Sequence, residues 1–408
     1  MGAQLRTNRM KPYTKPKFFE QIGRMMLSRL LERYQPEFTA GNVVLPDASL
    51  DDREYYSALS KLSASRPGLP DNFFEALHSI DALSNPEGKS RLLRAVEEAG
   101  IQIERIQMAT FADIAVQVLL ADAALFAQKH DETRIVALST FEYHGCVDAI
   151  DRRATFVAPT AEEVGRIKAD FDTWLGDERD GEERVTEIEC HEIDGEHCFL
   201  IRRGDSFLRL PTVDGNGFSV RHLRPARDMV VVYNPERDDL RIHAKTGREK
   251  KKLREMFGER LFGDPDHFAV RKEFTLKPLR DEGPDVLRVT PGQGIDKIVL
   301  TELEVWSDDD FDASVRTKAL DLFAYADANR IDAIPRRGKL AVAGFEVHFT
   351  GQTKPRMVYV RDGNKLRLTR HCDAAAVHRW LTSHKFRSPE EPTVNRLSAY
   401  NGVALGNN

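Results

Sequence analysis

Arg241, His243 and Lys245 occupy every second position of a short run in which they alternate with Leu240, Ile242 and Ala244. In an extended strand successive side chains point to opposite faces, so this spacing predicts a basic row on the face turned away from the core. Thr246 then opens Thr-x-x-Glu with Glu249, the capping box of a helix start, and Arg248, Lys250, Lys251 and Lys252 crowd the turns that follow. A helix start combines positive potential with N–H donors that lack intrahelical partners. Beside a row of bases it suits a phosphate or another anion, a nucleic-acid backbone included. The competing expectation is a solvated helix face whose donors are already occupied by the Glu249 carboxylate.

Other combinations carry less. Cys190-His191 and His197-Cys198 have the residue types of a zinc site. If Asp194-Gly195 forms a two-residue hairpin turn, 191 faces 198 and 192 faces 197, which puts Cys190 and His197 on one face and His191 and Cys198 on the other. Ligands split between two faces cannot share a tetrahedral ion. His144, Cys146 and Asp148 gather imidazole, thiol and carboxylate in one stretch, but catalytic triads are assembled from separate elements, so a strand end entering a loop is expected there. Asp308, Asp309, Asp310 and Asp312, preceded by Glu302 and Glu304, offer oxygen ligands to a hard cation without the glycine and distal Glu of a calcium loop. A restriction-type metal nuclease needs an acid and then Glu-x-Lys on a hairpin; His243-Ala244-Lys245 after Asp228 is a degenerate match and stands as the alternative reading. No phosphate-loop, dinucleotide, nucleophile-elbow or HExxH motif occurs, and no metal site or cofactor is expected.

Positioning the basic row takes a hairpin and a helix. Met229–Tyr233 is an apolar run suited to a strand buried on both faces, and Asn234–Asp239 supplies turn residues. After the second strand, Leu253, Met256, Phe257 and Leu261 give a helix to about Phe262 its apolar stripe, with Gly263 as the stop. Upstream, helical spacing recurs over 17–34, 51–62, 72–83, 86–100 and 110–129; a helix-turn-helix around Gly100 competes with a short strand at Ile101–Met108. A strand is expected at 135–143, a capped helix at 160–174 and short strands at 184–192, 197–203 and 206–210. Further strands follow at 287–290, 297–306, 339–350, 356–361 and 365–370, with helices at 312–329 and 373–383. The last unit repeats the order of hairpin, outward basic pair (Lys365, Arg367) and capped helix, as a divergent repeat would. The expected class is α+β: a helical N-terminal domain (1–130), then antiparallel β-hairpin-rich units with packed helices (131–280 and 281–386) and a flexible tail (387–408).

A chain of 408 residues exceeds what one core usually serves. Acids and bases nearly cancel, for a net charge of -5, so any attraction to nucleic acid must be local. Four cysteines without a CxxC pair or a signal peptide point to a reducing, cytoplasmic setting. Phe111–Ala127, the most apolar stretch, is too short and too interrupted to span a bilayer, so no membrane is expected. Arg6, Arg9, Lys11, Lys15 and Lys17 read as a basic arm, since Pro12 and Pro16 oppose a transit helix. The resulting expectation is a non-enzymatic bacterial cytoplasmic protein with a local anion or nucleic-acid-backbone patch at Arg241, His243, Lys245, Arg248, Lys250, Lys251 and Lys252. It would act alone or as a subunit of a larger assembly, with a nucleic acid, a phosphate-bearing ligand or a protein as partner. The alternatives are the metal-dependent nuclease and a protein-interaction scaffold, and no residue pattern decides whether the chain is an enzyme.

Overall fold

The computed structural model describes residues 12–65, 69–146, 156–178, 185–214, 217–268, 272–308, 311, 313–368 and 374–387. Arg6, Arg9 and Lys11 of the basic arm, together with Asp148, Asp309, Asp310, Asp312, Cys372 and Asp373, lie outside the described residues. Among the described residues no helix is long and apolar enough to cross a membrane. The chain divides into two compact units after Arg134.

The first unit is helical. Helices Arg24–Arg33, Asp52–Ser65, Asp71–Leu83, Pro86–Glu98 and Phe111–Ala121 bury Ile22, Leu27, Leu30, Phe38, Leu77, Ile80 and Ile114 in one core. Their starts are the polar residues that the sequence offers: Asn85 accepts the Gly88 N–H at 2.9 Å, and Thr110 forms a reciprocal capping box with Asp113. Two expectations are corrected. The short strand allowed at Ile101–Met108 does not form, and Glu104–Met108 is a turn with Arg105 at φ 49°. The segment 110–129 is broken at Asp122, whose carboxylate accepts the Leu125 N–H at 2.9 Å and caps a new helix, Ala123–Ala137. That helix absorbs residues 135–137, expected as strand. A short apolar run fits either periodicity, and burial of Ile135 and Val136 on the sheet decides it.

The second unit contains strands β1 (Thr140–Gly145), β2 (Thr186–Ile193), β3 (Glu196–Gly204), β4 (Leu208–Asp214), β5 (Gly217–Leu223), β6 (Ala226–Asn234) and β7 (Asp239–His243). It continues with β8 (Ile295–Trp306), β9 (Ser314–Lys318), β10 (Lys339–Phe349), β11 (Arg356–Arg361) and β12 (Lys365–Arg367). Ten of them form one sheet in the order β2-β3-β6-β7-β1-β12-β11-β10-β8-β9, while β4 and β5 pair apart. Every pairing is antiparallel. The fold is therefore α+β with helices concentrated at the N-terminal end, as the sequence indicates. Strands expected in separate domains 131–280 and 281–386 meet in this sheet, because β1 pairs with β7 along one edge and with β12 along the other.

Alternation sorts the side chains onto two faces. One face carries Phe141, Tyr143, Leu200, Val230, Val232, Phe345, Val360 and Leu366, buried with Val377, Trp380 and Leu381 of the helix Ala374–Ser383. The other face, over β3, β6 and β7, carries Phe199, Ile201, Val231, Tyr233, Leu240 and Ile242 against helices Ala161–Glu178 and Gly247–Phe262. Over β1, β12, β11, β10, β8 and β9 that second face is polar. Register places Thr140, Glu142, Lys365, Arg367, Tyr359, Arg361, Glu302, Glu304, Arg316 and Lys318 on it together. A sheet covered twice at one end and once at the other reads as continuous apolar runs in the first case and as alternation in the second.

The hairpin β6–β7 with its following helix and the hairpin β11–β12 with its own flank β1 on either side. Their helices lie on opposite faces of the sheet, the arrangement that a half-turn about β1 produces. The helix expected at 312–329 is replaced by β9 and a shorter helix, Leu322–Asn329, whose cap Asp321 accepts from Phe323 and Ala324 at 3.0 Å each. Val315 and Thr317, β-branched and alternating, extend the sheet edge instead. The strand expected at 287–290 does not form. Arg387, expected to open a flexible tail, is buried and bridged to Phe274.

Candidate functional site

Register puts Arg241 opposite Tyr143, so it turns into the buried face rather than outward, and it is only 2% exposed. The expectation of an outward Arg241 fails because β7 is covered on both faces, which alternation within the strand cannot reveal. Its guanidinium pairs with Glu196 and stands 3.6 Å from Asp239. Asp239 also receives Arg387 at 2.6 Å and Arg237 at 3.1 Å, while Asn234 donates to Glu196 at 2.8 Å. Glu273 accepts the Gly145 N–H at 3.0 Å and lies 3.9 Å from Arg387. Burial alone would raise the Asp239 carboxyl, but Arg387, Arg237 and Arg241 hold it well below the usual carboxylate range. Arg237, Arg241 and Arg387 against Glu196, Asp239 and Glu273 leave this interior cluster neutral, with its charges paired as burial demands.

The rest of the row divides. His243 is half-buried, with Nδ1 2.8 Å from the Thr140 carbonyl. Lys245 is exposed and 3.9 Å from Asp205. At the helix start the capping box forms as expected, and Glu249, buried, also takes Arg203 and Arg227. The Glu249 N–H is thus taken by Thr246, and the Glu249 carboxylate by the cap and the two arginines. Lys250 pairs with Glu142 at 2.9 Å, and Lys252 lines a surface groove with Asp170, Glu255 and Glu259. Arg248 and Lys251 are exposed.

Glu142 joins this helix start to the polar sheet face, because Lys365 approaches it from the other side at 3.9 Å. There a groove of about 320 Å³ is lined by Arg316, Arg361, Lys365 and Arg367 with Glu304 as the one acid, and by Tyr359 and Thr140. Arg316 is drawn to Glu302, which Lys318 also approaches at 2.9 Å. Among the described residues Arg361 and Arg367 have no carboxylate partner; Arg367 instead lies over the Tyr359 ring, 5.3 Å from its centroid. The tyrosine lies across Gly344, where an added Cβ would come within 2.9 Å of its ring. No family model and no curated protein sequence matches the chain.

Sequence reasoning singled out Lys365 and Arg367 as an outward pair and missed Arg361 and Arg316. Arg361 alternates in phase with Tyr359 and pairs opposite Lys365, so the predicted hairpin contained the signal. Arg316 sits in a strand that was expected as helix. The hairpin geometry expected at Asp194-Gly195 is observed: His191 pairs with Cys198 and Glu192 with His197, which separates the suspected zinc ligands between two faces. Asp228, the acid of the nuclease reading, is held by Arg202 at 3.3 Å. Asp148 lies outside the described residues; among them, Cys146 comes together with Asp238 and His267.

Proposed function

We propose that the chain is a non-enzymatic binding protein that holds a nucleic-acid backbone along the polar sheet face, in the groove between β12, β11 and β9. The observation that carries this reading is Arg361 beside Arg367, two guanidiniums at a basic groove without carboxylate partners. Guanidinium presents planar donors suited to phosphate oxygens, and an aromatic ring in a basic groove offers a base a surface to stack on. Lys250 of the helix start and Lys365 of the groove approach the same Glu142, so the basic patch expected from the sequence adjoins the groove at that carboxylate. Net charge contributes nothing, and binding rests on local charge.

The test is titration of labelled single-stranded and double-stranded oligonucleotides at two salt concentrations. Wild type should bind single strands more tightly, with affinity falling by about 0.7 log unit per log unit of salt for each phosphate neutralised. Arg361→Glu with Arg367→Glu should abolish binding, whereas Lys245→Glu with Arg248→Glu should only weaken it. No binding at low salt, or binding that survives the Arg361 and Arg367 reversals, ends this reading.

A further inference from the structure

Cys146, Asp238 and His267 come from three separate places: the residue after β1, the turn between β6 and β7, and the loop beyond the helix Gly247–Phe262. Their donor atoms lie within 4.8 Å of one another, and the residues are 4%, 1% and 0% exposed. Backbone bonds already hold the three together. The Cys146 N–H donates to the Asp238 carbonyl at 3.1 Å, Cys146 bridges to Phe268 next to His267, and the His267 N–H donates to the Asp264 carbonyl at 3.1 Å. The imidazole is stacked flat on Phe262, ring centroids 3.8 Å apart, and Tyr233 donates its hydroxyl to Asp238 Oδ1 at 3.0 Å. His267 Nε2 meets that same oxygen at 3.2 Å. The other carboxylate oxygen, Oδ2, is buried with no hydrogen-bond donor on it among the described residues.

We propose that these three residues form a buried zinc site. Thiolate, imidazole and carboxylate are the three protein donors of zinc, and a thiolate excludes magnesium and calcium, which take oxygen. A dication balanced by one thiolate and one carboxylate is neutral overall, as an interior site must be, and it would occupy the carboxylate oxygen that is otherwise unsatisfied. With Oδ1 held by Tyr233, Oδ2 is the oxygen left for the ion, and donor atoms within 4.8 Å of one another close about a zinc with shifts of about an ångström. Tyr233 and Phe262 supply the outer contacts that fix a carboxylate and an imidazole for a metal. The fourth position is left for a water. The site is independent of the sheet-face groove and stands whether or not nucleic acid binds there.

The full-length protein, expressed in zinc-supplemented and in cobalt-supplemented minimal medium, provides the test. Wild type and Cys190→Ser should each carry stoichiometric zinc by elemental analysis, and their cobalt forms should show a thiolate-to-cobalt charge-transfer band. Cys146→Ser should lose the band and most of the metal while keeping its far-UV spectrum. Metal-free wild type from both media, or undiminished metal in folded Cys146→Ser, overturns the proposal. Should Cys146→Ser fail to fold, X-ray absorption of the wild-type zinc form decides. A first shell containing a sulfur supports the site, and a shell of nitrogen and oxygen alone overturns it.

Discussion

His378 is a buried imidazole with no room for a charge. Its Nε2 lies 3.5 Å from the Tyr143 hydroxyl, and its surroundings include Arg237, Arg241 and Arg387 as well as Asp239. Burial and then those arginines push its pKa well below the ordinary 6.5, so the folded protein keeps it neutral while the unfolded chain takes up a proton. The sign follows from that imbalance: stability is unaffected above 6.5 and declines as pH falls below it toward the depressed folded value. One proton contributes at most about 1.4 kcal/mol per pH unit, or about 2 kcal/mol between pH 6.5 and 5. Asp239 works in the opposite window. Its pairing stabilises the fold above the usual carboxylate range and is lost only in stronger acid, so Asp239 does not contribute to a comparison at pH 5 and 7. Urea unfolding at these two pH values should show wild type losing more stability in acid than His378→Gln, and equal losses would mean that another group sets the slope.

At the scale of the element, the helix Gly247–Phe262 begins on a residue with two duties. Thr246 serves only the cap, and Thr246→Ala should cost about 1 kcal/mol. Glu249 closes the same cap but also neutralises the buried Arg203 and the partly buried Arg227. Glu249→Ala should therefore cost about 3 to 5 kcal/mol, the penalty of stranding a buried charge. Urea midpoints of the two variants compare them directly, and equal costs would show that Glu249 acts as a cap alone.

The cap was legible in the sequence because all of its parts lie within four residues, and Gly263 likewise marks the observed end, in the left-handed conformation at φ 71°. The strand at Ser314–Lys318 was not legible, since its pattern acquires meaning only from the β8 edge beside it. Arg241 shows the same limit in one side chain. Its phase along β7 is readable, but whether that phase meets solvent depends on Tyr143, Arg387 and Glu196, which are distant in sequence. The groove was half legible, through Lys365 and Arg367. The cluster of Cys146, Asp238 and His267 was not, because its members are joined only by the closing of the turn after β6 on the end of β1.

On the scale of the whole molecule, β1 is the keystone of the sheet. It takes β7 on one edge and β12 on the other, and the C-terminal segment beyond β12 returns Arg387 to Asp239. A chain ending at Pro355 would lack β11, β12 and the helix Ala374–Ser383, leaving one edge of β1 without a partner and Phe345 without Trp380 and Phe386. Such an edge is a template for pairing with other chains. The truncated chain should collect in the insoluble fraction; a soluble product with the sheet signal of wild type would show that β1 is stable with one neighbour.

The position of β1 also fixes an order of events during synthesis. The strand is complete at Gly145, whereas its second partner begins at Lys365, so more than two hundred residues must be added before the sheet can close. At ribosomal speeds that delay is on the order of ten seconds or longer, far beyond the microseconds in which a hairpin forms. The β6–β7 hairpin can dock on β1 early and cover one of its edges. The other edge must wait, and for that interval the nascent protein has the same open sheet that the truncated chain keeps permanently.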